Sequence, residues 1–324
     1  MYPGDGYNKG YHNLGHECID HWTGDIHFTK KVYNSFSPRD KIKTRKYQLK
    51  NWKSRQCRHD LNVLRQRIIN FHPDVIISHE HSKVPSEFYA EFNCTKISRI
   101  SSPIPNYWNP RYFNGVIADI PSYINFIEAH KIPTLTIPNP ISEITKDIEI
   151  DFKSKKGIRF IGTLGNINFS QRTVLYEKLA ANFPGEFKWY GQIHGDISQE
   201  LLALHQGITG GKELYEIYGK CAIVVNDYID IQPKIGVNQR IYEAMASGAL
   251  LITRDSEQLR KNVPSDFYKT YTTTEEMLKL VEHYLQHSEQ REHIARKAQK
   301  FILEDNTFKK ACSSICDFAN SLLQ

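Results

Sequence analysis

The 324-residue sequence predicts an α/β protein of two Rossmann-like domains, each built around a parallel sheet. Short apolar runs alternate with segments of helical periodicity along the whole chain. The length is about twice that of an ordinary domain. A proline-rich break at 137–140 separates two such regions, and a polar, charged stretch follows it. We therefore expect a domain at 1–140, a linker at 141–156 and a second domain at 157–324.

The first region contains the expected elements of one α/β domain, with an unusual beginning. Leucine and isoleucine recur at helical spacing over 61–69, with Asp60 as the N-cap. Strands are predicted at 75–78, 96–101, 115–118 and 134–137, and a helix at 122–130. Residues 7–14 indicate an earlier helix, and 17–19 a strand. A Rossmann unit should open with an apolar strand before that helix; either this strand precedes Met1 or the domain does without it.

The second region gives a more regular alternation of strand and helix. Strands are predicted at 158–161, 187–190, 222–226 and 249–253, and helices at 171–182, 213–218, 238–247, 274–286 and 288–303, with a last helix after Phe308. This order is typical of a doubly wound parallel sheet covered by helices.

The most informative segment is the helix predicted after the strand that ends in Asn226. Its first turns hold Asn238, Arg240 and Glu243. Free backbone N–H groups and the positive end of the helix dipole suit a diphosphate, and a guanidinium can add a bidentate contact. A carboxylate can accept hydrogen bonds from both hydroxyls of a ribose. A surface helix with an asparagine cap and a solvated Arg/Glu pair explains the same residues, and residue chemistry alone leaves both interpretations open.

The segment from Arg240 to Thr253, RIYEAMASGALLIT, resembles the nucleotide-sugar motif of retaining GT-B glycosyltransferases, and most nearly that of the spore-maturation (CgeB-like) branch. The chain from about 157 to 320 follows the C-terminal domain of that family, whereas the first 150 residues match only in general pattern. The resemblance implies a GT-B fold, with two Rossmann-like domains whose parallel sheets face across a cleft. It implies nucleotide-sugar binding by Gly162, Thr163, Arg172, Tyr190, Gly191, Asn226, Asn238, Arg240 and Glu243.

The same resemblance bears on the donor and on metals. Many retaining GT-B enzymes carry a first glutamate eight residues before the second, and here that position is Ile235. The identity of the donor sugar therefore stays open, with a UDP- or GDP-sugar expected. No Asp-x-Asp of the metal-dependent type follows a suitable strand, so we expect neither a metal nor a cofactor, with the helix dipole and arginines stabilising the leaving diphosphate.

Candidate catalytic residues come from strand ends in the first region. His79 and His81 close the strand at 75–78, and Asp119 follows the strand at 115–118. Ligands of open α/β sheets bind beyond the carboxyl ends of strands, so these side chains could contact the donor sugar or deprotonate an acceptor hydroxyl. The alternative is a set of polar strand ends that face water.

A basic segment stands out against an otherwise slightly acidic chain. Between Pro38 and Arg67 eleven basic residues face two acidic ones, a net charge of +9 within a chain whose total is +6. The basic residues we expect to act are Arg39, Lys41, Lys43, Arg45, Lys46, Lys50, Lys53, Arg55 and Arg58. Lysines and arginines at this density suit an anionic membrane surface with its glycan or glycolipid acceptor. With Tyr47 and Trp52 among them they also suit a nucleic acid whose modified bases are glycosylated, or simply a solvated surface.

The distribution of apolar residues bears on whether the protein spans a membrane or is secreted. No stretch approaches the ~20 apolar residues of a membrane span, and the first ten residues lack a signal-peptide core, so we expect a cytoplasmic protein, either free or peripheral to a membrane. The sequence favours a glycosyltransferase. A non-catalytic nucleotide- or polyanion-binding protein on the same scaffold stays open because of Ile235.

Overall fold

The computed structural model describes residues 3–18, 55–79, 84–100, 108–118, 124, 127–167, 169–228 and 237–323. These residues form two compact units. One consists of the described parts of 1–10 and 138–313, and the other of the described parts of 11–137 and 314–324. Each unit contains a parallel sheet, and the predicted α/β class is confirmed. None of the helices among these residues is long and apolar enough to cross a membrane.

The described elements are numbered here in chain order. The strands are β1 Val75–His79, β2 Thr95–Ile100, β3 Gly115–Ala118, β4 Thr134–Leu135, β5 Ile158–Ile161, β6 Phe187–Tyr190, β7 Ile223–Asn226, β8 Leu250–Arg254 and β9 Lys269–Tyr271. The helices are α1 Pro3–Asn13, α2 Arg55–Phe71, α3 Ser170–Asn182, α4 Gln199–Ala203, α5 Gly211–Lys220, α6 Gln239–Ala246, α7 Glu257–Asn262, α8 Thr274–Gln286, α9 Ser288–Asp305 and α10 Phe308–Leu323.

The unit of residues 11–137 and 314–324 has a four-stranded parallel sheet in the order β1-β2-β3-β4. Two small clusters of buried side chains cover it, one of them formed with Leu64 and Ile68 of α2. The C-terminal helix also reaches this sheet, because a Cβ built on Gly115 would lie 2.7 Å from the ring of Phe318. A larger residue at the start of β3 would therefore force α10 away.

The other unit has a five-stranded parallel sheet in the order β6-β5-β7-β8-β9. Side chains alternate between its two faces, as the twofold period of a strand requires. Ile223 and Val225 pack with α3 and α8 on one face, whereas Val224 packs with α5, α6 and α9 on the other. The strands are apolar on both faces because helices cover both, which is typical of parallel sheets.

Residues 141–156, where the sequence favours a linker, pack onto this five-stranded unit. Phe152 is buried, and a Cβ on Gly248 would lie 2.8 Å from its ring. The ammonium of Lys155 is also buried and donates hydrogen bonds to carbonyl oxygens at the ends of α5 and α6, among them that of Ser247 at 2.9 Å. Cations are favourable at helix C-termini, so this lysine ties the segment to both helices.

The predicted elements mostly agree with the structure. The strands at 115–118, 158–161 and 187–190 and the helix at 274–286 are found with the predicted bounds. The sequence missed α4, α7 and β9, which are three to six residues long and too short for a periodic pattern to show. The helix expected at 7–14 begins earlier, at Pro3, and residues 17 and 18 are not in a strand. Much of the helix expected at 122–130 lies outside the described residues.

Candidate functional site

The strand order of the five-stranded sheet places a switch point between β5 and β7. From β5 the chain continues to β6 on one side and later to β7 on the other, and ligands of open α/β sheets bind outside the carboxyl ends of strands at such a point. β5 and β7 pair only at Ile158–Ile223 and Arg159–Val224. The last two residues of each strand are therefore not paired with each other. The two strands separate at the edge where a ligand would bind.

Side chains hydrogen-bond the carbonyl groups of the last two residues of β7. The hydroxyl of Tyr176 donates to the carbonyl oxygen of Val225, and that of Tyr271 to the carbonyl oxygen of Asn226, each over 2.9 Å. Burial raises the pKa of both hydroxyls well above the ordinary value, so both remain protonated donors. The end of β7 is thereby held by these two tyrosines as well as by its pairing with β8.

Arg240, in the first turn of α6, bridges the separated strand ends. Its Nε donates to the carbonyl oxygen of Ile161 at the end of β5, and its Nη1 donates to Oδ1 of Asn226 at the end of β7, over 2.9 Å. The guanidinium lies 4.7 Å from the ring centroid of Phe160. Within the described part of the chain, Nη2 has no hydrogen-bond partner. The guanidinium is thus fixed at the switch point, and its Nη2 remains available to donate hydrogen bonds to a ligand.

Two predicted glycines make room for this arrangement. A Cβ on Gly162 would lie 2.4 Å from Nη2 of Arg240, so only glycine lets the guanidinium lie over the end of β5. Gly191 has φ 138° at the end of β6, a conformation that side chains rarely adopt. Both glycines serve close backbone approach at the predicted site.

Asn226 and Asn238 lie in the same cluster as Arg240. Asn226 is fully buried, and its Oδ1 also accepts from Nδ2 of Asn238 at 3.1 Å. Asn238 is the N-cap residue of α6, but its side chain turns to Asn226 instead of capping the helix. The side chain of Asn238 therefore does not occupy the N–H groups of the first turn.

Glu243 lies one turn further along α6, beside a cavity of about 80 Å³ lined by Ser142, Ile144, Gly211, Leu214, Tyr215 and Glu243 itself. Burial raises the pKa of its carboxyl group to about 7, although the nearby Arg240 acts in the opposite direction. Among the described residues the carboxylate has no hydrogen-bond partner. Ligand pockets usually measure ~300 Å³ or more, so this cavity fits one ring of a larger ligand.

The remaining predicted nucleotide residues surround the ends of β5 and β6. Arg172 is buried in α3, and its guanidinium lies 4.6 Å from the ring centroid of Phe169 and 5.7 Å from that of Phe160. Thr163 and Tyr190 are half-buried. The structure thus places Arg172 against aromatic rings, and its assignment to phosphate remains a prediction.

The candidate catalytic residues and the basic segment are mostly outside the described residues. His79 ends β1, where its backbone is in register with Arg99, and its side chain is not described. His81, Asp119, Ile235 and basic residues 39–53 lie outside the described ranges, and for Arg55 and Arg58 only the helical backbone is described. Their proposed roles stay predictions. No cluster of three or more potential metal ligands occurs among the described residues.

Sequence reasoning missed several residues that build the site. Thr253 accepts a hydrogen bond from Nδ2 of Asn226 over 2.9 Å, and Tyr215 forms a wall of the cavity. The backbone N–H of Ser142, from the expected linker, donates to the hydroxyl of Tyr215 at 3.4 Å. Thr253 could have been found, because it ends the strand predicted at 249–253 just as Asn226 ends the preceding strand predicted at 222–226, and the structure pairs the two residues. No local signal marks Ser142 or Tyr215.

Part of the chain matches a known protein family. Residues 172–317, a little under half of the chain, match the protein family described as glycosyl transferase-like. No curated protein matches the sequence.

Solved structures share the fold at low sequence identity. A glycosyltransferase from Rickettsia africae ESF-5 is 14% identical, with 82% of this chain and 80% of that one covered and a TM-score of 0.59. Anabaena Alr3699/HepE in complex with UDP and glucose is 12% identical, with 80% and 82% covered and a TM-score of 0.55. The E. coli trehalose-6-phosphate structure bound with UDP-2-fluoro glucose is 11% identical, with 82% and 78% covered and a TM-score of 0.57. The part of the chain at 172–317 is therefore glycosyl transferase-like, and the chain shares the two-sheet α/β fold of these solved glycosyltransferase structures.

Proposed function

We propose that the protein transfers a sugar from a UDP- or GDP-sugar to an acceptor hydroxyl, with Glu243 binding the ribose and Arg240 the diphosphate. The observation that carries this proposal is the half-buried carboxylate of Glu243, which lies beside a cavity of one-ring size and has no hydrogen-bond partner among the described residues. A polar group with this degree of burial is costly unless something binds it. Two ribose hydroxyls would satisfy it.

The diphosphate would lie one helical turn away, at the start of α6. The backbone N–H groups of Gln239 and Arg240, which the Asn238 side chain leaves uncapped, and Nη2 of Arg240 would offer donors there, and the positive end of the helix dipole would favour the negative charge. Gly162 keeps the space over the end of β5 open. Positive groups fixed in advance stabilise the charge that develops on the leaving diphosphate.

The finer class of the reaction follows the motif resemblance. The segment from Arg240 to Thr253 supports membership of the CgeB-like branch, and with it transfer with retention of anomeric configuration and without a metal or cofactor. His79, His81 and Asp119 are the residues we propose to act on donor sugar or acceptor. Similar structures that contain UDP or a UDP-sugar make uracil the first base to test.

For the acceptor, the basic segment favours an anionic or membrane-associated glycan or glycolipid. Glycosylation of modified nucleic-acid bases is the second candidate, because Tyr47 and Trp52 stand among the phosphate-binding residue types. A non-catalytic nucleotide- or polyanion-binding protein is the alternative of another class, and the absent glutamate at Ile235 favours it.

The donor experiment measures release of nucleoside diphosphate from a panel of UDP- and GDP-sugars, in EDTA and in Mg²⁺. We expect turnover of at least one donor that EDTA does not abolish. Binding of uridine and of 2′,3′-dideoxyuridine is then compared by calorimetry. Wild type should prefer uridine by about tenfold or more, and Glu243→Ala should lose this preference, since a charged hydrogen-bond partner is removed.

Glu216→Ala on α5 is the matched control, because Glu216 pairs with Lys212 on the helix surface and should leave the preference intact. Equal binding of both nucleosides by wild type would show that the ribose role is wrong. Nucleotide binding without turnover of any donor would favour the non-catalytic alternative.

The acceptor experiment neutralises Lys41, Lys43, Arg45 and Lys46 together. Binding to anionic liposomes and to single-stranded DNA is measured against salt concentration, because each lost phosphate contact lowers the slope of log affinity by nearly one unit. Loss of liposome binding would support a membrane-associated acceptor, and loss of DNA binding a nucleic acid. If wild type binds neither, the segment is ordinary solvated surface.

A further inference from the structure

Asn226 holds the guanidinium of Arg240 through a neutral group. Its side chain is fully buried at the end of β7, with three hydrogen bonds to other side chains. Oδ1 accepts from Nη1 of Arg240 at 2.9 Å and from Nδ2 of Asn238 at 3.1 Å, and Nδ2 donates to Oγ1 of Thr253 at 2.9 Å. Since a guanidinium can only donate, the oxygen of this amide must face Arg240.

The next residue along the chain provides an internal comparison. Asp227 is buried as well and holds an arginine, but with a carboxylate: Nε and Nη2 of Arg254 donate to its two oxygens at 2.7 and 3.0 Å. Two arginines at the end of β7 are therefore held by partners of different charge. Arg254 is paired with a negative charge, whereas the partner that holds Arg240 at the same strand end is neutral.

The difference matters for an anionic ligand. A carboxylate a few ångströms from a guanidinium interacts with several kcal/mol at the intermediate dielectric of a half-buried site, and it would cancel most of the attraction for a diphosphate. An amide oxygen fixes the same geometry at much smaller electrostatic cost. Aspartate has nearly the same shape as asparagine and could accept the same hydrogen bonds, so shape does not explain the choice.

We propose that Asn226 is a positioning residue, oriented by Thr253, that fixes the guanidinium of Arg240 while leaving its positive charge available to the diphosphate of the donor. This inference rests on the proposed function, in which Arg240 contacts that diphosphate. Thr253 orients Asn226 because its hydroxyl accepts a hydrogen bond from the amide nitrogen, which keeps the amide oxygen toward Arg240.

The test compares Asn226→Asp with wild type in binding of UDP and of uridine, with GDP and guanosine in parallel. Asn226→Asp should bind UDP at least about tenfold more weakly while its affinity for uridine stays within about twofold, because only the diphosphate senses the added charge. Arg240→Met should give the same pattern. Asn182→Asp is the matched control: it adds the same charge on the exposed last turn of α3, at the opposite edge of the sheet, and should change neither affinity.

A second pair of variants covers the case in which Asn226→Asp does not fold. Thr253→Val removes the acceptor for Nδ2 and should lower UDP affinity without lowering uridine affinity, whereas Thr253→Ser should restore wild-type binding. UDP affinity unchanged in both Asn226→Asp and Thr253→Val overturns the inference, and so does an equal loss for UDP and uridine. If the wild-type protein binds neither UDP nor GDP, the proposed function is overturned as well. If the wild type binds one of them and the variants bind it equally well, only this inference is overturned.

Discussion

The carbonyl oxygen of Gly162 occupies the place where a side chain at Gly191 would begin. A Cβ built on Gly191 would lie 2.1 Å from that oxygen, and the residue has φ 138°. The ends of β5 and β6 approach each other this closely at the same edge of the sheet that holds Arg240. Backbone packing at this edge therefore depends on glycine at position 191.

Gly191→Ala should destabilise the protein because the new methyl group meets backbone that cannot move aside and φ is unfavourable. We expect the free energy of unfolding to fall by roughly 2 kcal/mol or more, measured by chemical denaturation. Gly185→Ala is the matched control: no heavy atom lies within 4 Å of its Cβ. If both variants were equally stable, the close approach of the two strand ends would be wrong.

Lys155→Met should show how much the buried ammonium contributes. The variant keeps the volume but leaves carbonyl groups at the ends of α5 and α6 without their charged donor, so we expect a loss of about 2 kcal/mol in the free energy of unfolding. Lys156→Met, at the exposed neighbouring position, should change it by less than ~0.5 kcal/mol. Equal effects would mean that the ammonium contacts contribute nothing.

The pH dependence of Lys155→Met gives a second measurement. Burial lowers the pKa of Lys155 to about 8 from 10.5, so between these values the unfolded chain binds a proton that the folded protein has released. Unfolding then becomes less favourable as pH rises. Wild type should gain stability relative to Lys155→Met between about pH 8 and 10.5, and a constant difference would contradict the lowered pKa.

Glu243→Gln should separate stability from ligand binding. Burial raises the pKa of Glu243 to about 7 from 4.5, so its contribution to stability is fully present below about pH 4.5 and is lost as pH rises through about 7. The neutral variant should therefore unfold less readily than wild type at about pH 8 and show no such advantage at about pH 5, while it binds uridine more weakly. A variant less stable than wild type at about pH 8 would show that the carboxylate has an unseen partner in the folded protein.

Arg254→Met should leave the buried carboxylate of Asp227 without its guanidinium. Breaking a buried ion pair on one side usually costs several kcal/mol, and because the side chain of Arg254 is 39% exposed we expect about 2 kcal/mol. Arg260→Met, which removes an exposed and solvent-screened pair with Asp255, should lower the stability much less. Similar losses in thermal and chemical denaturation for both variants would contradict the special role of the Asp227 pair.

The sequence by itself determined the alternation of strands and helices in the C-terminal half and the segment that carries the site. Hydrophobic periodicity is a local property, and it placed β5, β6 and α8 with their observed bounds. The spacing of Arg240 and Glu243 on one helix left two interpretations open, and the candidate site segment was singled out by the resemblance of Arg240 to Thr253 to a family motif. Gly162 and Gly191 followed from the resemblance.

Tertiary structure alone decided what these residues contact. Arg240 is bonded to a carbonyl group 79 residues away, and this partner exists only because β5 and β7 separate at their ends. The wall of the cavity beside Glu243 includes Ser142, from a segment whose polar composition indicates a linker. Hydrogen-bond partners and burial depend on which surfaces pack together, and packing between distant segments leaves no periodic mark in the sequence. The choice of a neutral amide at Asn226 likewise has meaning only once Arg240 is seen to lie against it.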